Sequence, residues 1–344
     1  MVFLDYASTC PIVKFSSKQY KGFHCNPNAA YAYAERKTLM DCEERIKAAI
    51  GVKGGHVLYF RCATEAIDWL YHETIKRADY IWWRRSLYEH DACQFGYEAK
   101  ATLVTDDIDF YIHQWVNHIT GEIFDLKTIR SQLHETCKLI VDATAGFGKA
   151  KLPSGLDNIA DALFMSGHKI GCPELSFMWL SDNLCKWLGA AKDIRNQWGL
   201  HHGSLSVASV MALTDAVEWA CENGDRVDGH SVRLYVQMNN LLDEARIEHR
   251  DVIERQVYTA SINAIRLNGI NADALQQFLA SRGVYVGVGG SACSAAHDYR
   301  VLRAYGLTDV EASEVIRVSF GDETTSSDID ALVEGIKEYR RQFC

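Results

Sequence analysis

Residues 139–169 read LIVDATAGFGKAKLPSGLDNIADALFMSGHK. Two short apolar runs stand in this stretch, Leu139-Ile140-Val141-Asp142 and Ala162-Leu163-Phe164-Met165. Each reads as a strand. The first ends in a carboxylate, and the second ends just before Ser166-Gly167-His168-Lys169. Upstream, Ala34 to Gly51 reads as a helix, with Leu39, Ile46 and Ile50 apolar and a glycine to end it. His56 to Phe60 reads as a strand, Thr64 to Lys76 as a helix and Ala78 to Trp83 as a strand. Such alternation predicts an α/β fold with a mainly parallel sheet flanked by helices. Ligands in such sheets bind beyond the carboxyl ends of the strands. Asp142 and Lys169 are both expected at strand ends.

The pattern changes after Cys221-Glu222-Asn223-Gly224-Asp225. Ser261 to Leu267 alternates like a strand, Ala272 to Arg282 reads as a helix, Val315 to Phe320 as a strand and Ser327 to Arg341 as a helix. These predict a smaller α+β domain, with a hinge near residue 224. The expected division is a large domain over 12–223 and a small one over 1–11 and 224–344.

The chain has 344 residues, 48% apolar and 24% charged, with a formal net charge of −9. That balance argues against a nucleic-acid-binding surface over the whole molecule. Arg84-Arg85 is the one basic candidate, and a solvated loop edge is expected there. The chain holds eleven cysteines, dispersed without CxxC spacing, so no zinc or thioredoxin-like motif is expected. Met1 to Asp5 has neither a basic start nor an apolar core, and no apolar run is long enough to span a bilayer. The expected setting is a reducing cytoplasm.

One cysteine stands apart. Gly290-Ser291-Ala292-Cys293-Ser294-Ala295-Ala296 places a thiol among small residues, after the glycine-rich run Gly283 to Gly289. Such a loop presents the thiol outward, where a nucleophile is useful. Together with Asp142 and Lys169 it points to pyridoxal 5′-phosphate (PLP) chemistry. That chemistry needs a lysine, a carboxylate to keep the pyridine nitrogen protonated, and N–H donors for the phosphate. Lys169 and Asp142 meet the first two needs. Ala63-Thr64, between a strand and its helix, offers backbone amides and a hydroxyl for the third.

At these residues the chain resembles cysteine desulfurases of the NifS/IscS type, in the class V aminotransferase group of fold-type I PLP enzymes. The blocks that carry the resemblance are Ala63-Thr64-Glu65-Ala66, Glu89-His90, Val116-Asn117-His118-Ile119-Thr120-Gly121, Val141-Asp142-Ala143-Thr144, Ser166-Gly167-His168-Lys169, Gly290-Ser291-Ala292-Cys293 and Ile316-Arg317-Val318-Ser319-Phe320-Gly321. They occur in the family's order over nearly the whole chain. The resemblance implies a seven-stranded, mainly parallel sheet in the large domain. It implies Lys169 as Schiff-base lysine and base, Asp142 on the pyridinium nitrogen and His90 stacked on the ring. Asn117 would lie near ring and substrate, and Arg317 would clamp the substrate carboxylate. Ala63, Thr64, Ser166 and His168 would hold the phosphate. Ser204 would reach a partner subunit's phosphate, which implies a homodimer. Cys293 would take sulfur from L-cysteine, leaving L-alanine, and pass a persulfide to an acceptor protein. No direct nucleic-acid contact, no membrane and no metal are expected.

The pattern departs from the family in several places. Arg61-Cys62 replaces a small pair before the phosphate loop. Ala145 stands where a glutamine donor is usual. His201-His202-Gly203-Ser204 replaces an Arg-Ser-Gly-Thr segment. Cys172-Pro173-Glu174-Leu175 replaces a glycine-rich stretch, and the chain stops at Cys344. These departures leave the acceptor open among iron–sulfur assembly, tRNA thiolation and DNA phosphorothioate modification. Two other readings stay open: another class V reaction such as an aminotransferase or selenocysteine lyase, and an inactive homologue acting as a binding partner.

Overall fold

The structure, a computed structural model, describes residues 1–22, 25–77, 81–93, 97–99, 109–253, 257–289 and 299–343. Among these residues the strands are β1 (Val2–Leu4), β2 (His56–Phe60), β3 (Trp83–Ser86), β4 (Tyr97–Ala99), β5 (Phe110–Gln114), β6 (Lys138–Asp142), β7 (Ala162–Met165), β8 (Ser176–Leu180), β9 (His249–Asp251), β10 (Ile262–Leu267), β11 (Val284–Val288) and β12 (Val315–Ser319). The chain divides into two compact units. The larger comprises Ile12–Trp115 and Asp125–Asn223; the smaller comprises Met1–Pro11, Val116–Phe124 and Gly224–Cys344.

The larger unit is built on a seven-stranded sheet in the order β2-β8-β7-β6-β5-β3-β4. β8 runs antiparallel to both neighbours, and the other pairings are parallel. The central strands β5, β6, β7 and β8 are buried almost throughout, because the sheet is covered on both faces. Leu58, Ile140, Phe164 and Met178 pack with Ile67 and Leu70 of the helix Ala63–Ile75. Ala66, Ile67, Leu70 and Thr74 recur at helical spacing and form its buried stripe. The helix Tyr33–Ile50 buries Leu39, Cys42, Ile46 and Ile50 and ends at Gly51 in the left-handed region.

The smaller unit carries a five-stranded sheet, β1-β11-β12-β10-β9, in which only β1 and β11 pair in parallel. Leu275 and Leu279 of the helix Ala272–Ser281 share a core with Ile329, Leu332 and Ile336 of the helix Ser326–Phe343 and with Leu4 and Val318 of the strands.

The boundary expected near residue 224 falls between Asn223 and Gly224, inside one continuous helix, Val207–Glu244. One glycine costs a helix only about 1 kcal/mol, and packing along the rest outweighs that. Two local expectations change. Val116–Phe124, expected within 12–223, groups with the smaller unit: Val116 bridges Ile123, and Glu122 bridges Tyr258. Arg84-Arg85 is no loop edge. Both lie in β3, between β4 and β5, and Arg85 is buried.

Candidate active site

The pairing of the larger sheet brings the carboxyl ends of β2, β7, β6, β5 and β3 to one edge. There Asp142 ends β6, in register with Gln114 of β5 and Phe164 of β7. Asp142 is buried, and its Oδ1 accepts the Thr144 N–H at 2.8 Å. Polar atoms of Glu89, Cys93 and Asp142 lie within 4.8 Å of one another, and all three residues are buried. Burial, and then the charges of Glu89 and Asp142, push the Cys93 thiol well above its ordinary range. The cluster forms the polar backing of Asp142. The next residue after Glu89 is His90, half-buried, whose Nδ1 accepts the Ala92 N–H at 3.0 Å. That contact fixes the imidazole proton of the neutral ring on Nε2.

Lys169 lies on a short 3-10 turn, Gly167–Ile170, directly after β7, and is 8% exposed. Gly167 is required there: a Cβ would sit 2.1 Å from the Leu175 carbonyl oxygen and 2.5 Å from that of Cys172. The turn can therefore fold against the 172–175 loop only without a side chain. Ser166 is buried, with its Oγ 3.4 Å from Ser176 Oγ. Burial, with the positive charges of Lys169 and Lys149, lowers His168 to about 4, so its ring is neutral at pH 7.

Glu174, one of the departures noted above, fastens this loop. Its Oε1 accepts from Ser16 Oγ (2.8 Å), Ser17 N (2.9 Å) and Ser17 Oγ (3.0 Å), and its Oε2 from Ser209 Oγ (2.7 Å). Burial acts to raise its pKa, but the hydrogen bonds from Ser209, Ser17 and Ser16 outweigh it, and the net shift is downward. A carboxyl held below its unfolded value stabilises the fold above the ordinary glutamate range, and that contribution is lost as pH falls through the folded value. Glu174→Ala is expected to cost about 2 kcal/mol at pH 7 in urea unfolding and to flatten the acid limb of stability against pH. An unchanged acid limb would show that the carboxylate is not the fastener.

At the same edge, the terminal strand β2 leads into the helix Ala63–Ile75. Cys62 caps this helix, its sulfur accepting the Glu65 N–H at 3.5 Å, so this cysteine has a local structural role. Ala63 and Thr64 occupy the first turn, and Thr64 is exposed. The exposed Arg61 donates its backbone N–H to Glu65 Oε2 at 2.7 Å. Ser204 is also exposed.

The smaller unit gathers a second set. Arg317 is 1% exposed. Its Nη2 donates to Asp5 Oδ1 at 2.7 Å and Ser8 Oγ at 2.6 Å, and its Nη1 donates to the His118 carbonyl at 3.0 Å. Arg317 Nε is buried without a hydrogen-bond partner. Gly287, paired with Arg317 across β11 and β12, is the only kind of residue that fits: a Cβ would lie 2.9 Å from Arg317 Nε and 3.0 Å from Asp5 Oδ1. Asn117, beside His118, is buried. Its Oδ1 accepts the N–H groups of Ile119 and Thr120, both at 2.9 Å, and its Nδ2 has no partner. Cys293 lies outside the described residues.

The model for the aminotransferase class-V family matches residues 85–332. The chain belongs to that family. Among curated relatives, a putative cysteine desulfurase NifS of Halalkalibacterium halodurans is 23% identical, covering 98% of this chain and 98% of its own length. The cysteine desulfurase IscS of Shewanella pealeana is 26% identical over 98% of this chain and 92% of its own. Among solved structures, a NifS-like protein superposes with a TM-score of 0.83 at 18% identity, covering 99% of this chain and all of the other. The fold is that of the fold-type I PLP enzymes.

This class-V enzyme uses PLP. The residues at the larger sheet's edge fit that cofactor. They offer a buried carboxylate in Asp142, a buried amine in Lys169 and a helix start with an exposed hydroxyl at Thr64. Beside Asp142, the Thr144 hydroxyl is buried with no partner, a polar atom still able to accept or donate. No local sequence pattern assigned Glu89, Asp5 or Glu174 to any of these arrangements. Glu89 stood inside a quoted block, but the contact of Asp5 with Arg317 spans 312 positions of chain and leaves no local pattern.

Among the described residues no helix is long and apolar enough to cross a membrane.

Proposed function

We propose that this class-V enzyme is a cysteine desulfurase that removes sulfur from L-cysteine, releases L-alanine and carries the sulfur as a persulfide on Cys293. The support is a cysteine in the small-residue run Gly290–Ala296 of a chain whose full-length relatives are named cysteine desulfurases. When bound, PLP withdraws electrons from the substrate's Cα. Lys169 would hold the cofactor covalently and then move the Cα proton. Asp142 would keep the pyridine nitrogen protonated. His90, with its proton on Nε2, would serve as a donor beside the cofactor. Ala63, Thr64, Ser166 and the neutral His168 would bind the phosphate. Asn117 orients the substrate through its unpartnered Nδ2, and Arg317 offers its Nε to the substrate carboxylate while Asp5 holds its other face. The Cys293 thiolate attacks the substrate sulfur: an S–S bond forms, the substrate C–S bond breaks, and its electron pair and a proton end on the methyl carbon of alanine.

The persulfide passes to an acceptor protein of iron–sulfur assembly, tRNA thiolation or DNA phosphorothioate modification. Exposed Ser204 completes the phosphate site of a partner subunit in a homodimer, and the setting is cytoplasmic.

With L-cysteine and the PLP-loaded protein, Cys293→Ala is expected to cut alanine release about a thousandfold while leaving the cofactor's visible band in place. Mass spectrometry of the wild type should find one added sulfur on the peptide holding Cys293. Alanine release at the wild-type rate from Cys293→Ala would favour another class V reaction. A coloured wild type that releases no alanine would favour a binding role.

A further inference from the structure

Asn196, Gln197 and Trp198 have φ of 51°, 51° and 60°, followed by Gly199 at 70°. Left-handed backbone is unfavourable for residues with a Cβ, and consecutive cases persist only where the surroundings over-determine them. Here every side chain of the turn is tied down. Asn196 exchanges hydrogen bonds with Asn28, its N–H to Asn28 Oδ1 at 2.9 Å and Asn28 Nδ2 to its Oδ1 at 3.0 Å. Trp198 Nε1 donates to Glu43 Oε2 at 2.9 Å, and its ring stacks on His56 at 3.8 Å. The side chain of Gln197, 4% exposed, turns inward instead.

Gln197 meets β2, the terminal strand of the seven-stranded sheet. Its Oε1 accepts the Tyr59 N–H at 2.6 Å, and its Nε2 donates to the Tyr59 carbonyl at 3.3 Å. One amide thus replaces the missing neighbouring strand on the outer side of β2. Because Oε1 is the acceptor, Nε2 is fixed as donor, and it also reaches His201 Nδ1 at 2.9 Å. His201 is therefore neutral with its proton on Nε2, and burial lowers its pKa. The imidazole packs on Phe60, the last residue of β2, at 4.8 Å.

Two segments meet on this amide. One is the end of β2, which leads through Arg61-Cys62 to Ala63-Thr64. The other opens His201-His202-Gly203-Ser204. Both were assigned above to phosphate binding. We infer that Gln197 is a positioning residue for the PLP phosphate: the strained turn holds its amide so that the first turn of the helix Ala63–Ile75 and the Ser204 segment keep a common register. This inference rests on the reading of Ala63, Thr64 and Ser204 as phosphate ligands.

The test titrates cofactor-stripped full-length protein with PLP and with pyridoxal, which lacks the phosphate, following the visible absorbance. Gln197→Ala is expected to weaken PLP about tenfold and pyridoxal less than about twofold. Gln197→Glu, which keeps the acceptor for the Tyr59 N–H but loses the donor, is the second variant should the alanine form not fold, and the same preferential loss of PLP is expected. Equal loss of both ligands, or PLP binding unchanged within about twofold, would overturn the role of Gln197. A wild type that binds PLP no better than pyridoxal would instead overturn the phosphate assignments beneath it.

Discussion

Lys169→Ala is expected to abolish the visible absorption of protein-bound PLP and to lower L-cysteine turnover by about four orders of magnitude. The lysine amine is the group that both links the cofactor and moves the Cα proton, so its loss removes two functions together. Its environment supports this role. Lys169 is almost wholly buried on a turn that requires Gly167, and its neighbour His168 is held neutral. An ordinary surface lysine would be solvated and mobile. A spectrum and a turnover both unchanged in Lys169→Ala would remove this residue from the chemistry. A small primary amine added to the variant should return part of the rate, because the buried site keeps its shape around a shortened side chain.

Arg317→Ala is expected to destabilise the protein by about 3 kcal/mol in urea unfolding and to lower cysteine turnover as well. The arginine is 1% exposed, and its partner carboxylate on Asp5 is 19% exposed. Removing the guanidinium leaves that carboxylate without its cation and the His118 carbonyl without its donor, which is why the loss exceeds that of a surface pair. Arg317→Lys keeps a charge but not the planar fork. It should recover part of the stability while KM for cysteine stays raised. Stability within about 0.5 kcal/mol of wild type in Arg317→Ala would show that the pair with Asp5 contributes no more than a surface one.

Much of this architecture was legible in local pattern. The apolar runs 139–142 and 162–165 are strands because short, uninterrupted apolar segments bounded by polar residues suit the middle of a covered sheet. The helices near Ala34–Gly51 and Thr64–Lys76 were visible from spacing and from the closing glycine, and each end moved by only a residue. The blocks around Asp142 and Lys169 were legible for the same reason: a strand end followed by small or polar residues is local information. Arg84-Arg85 misled because two adjacent charges look solvated, whereas β3 has neighbours on both sides and draws Arg85 inward. Asn223-Gly224 marks the boundary between the two units without interrupting the helix, because turn chemistry is a weak preference that a long packed helix overrides.

Sequence by itself determined the alternation of strands and helices around the site, the placing of a carboxylate and a lysine at strand ends, and the cysteine in its small-residue run. These are properties of neighbouring residues, set by backbone propensity and side-chain periodicity. Only the tertiary structure decided which distant groups share a charge or a hydrogen bond. It set Arg317 on Asp5, closed Glu174 over Ser16, Ser17 and Ser209, and turned Gln197 inward onto Tyr59. Such partners lie far apart along the chain, and a buried polar group must find one wherever folding brings it, so no local pattern announces the match.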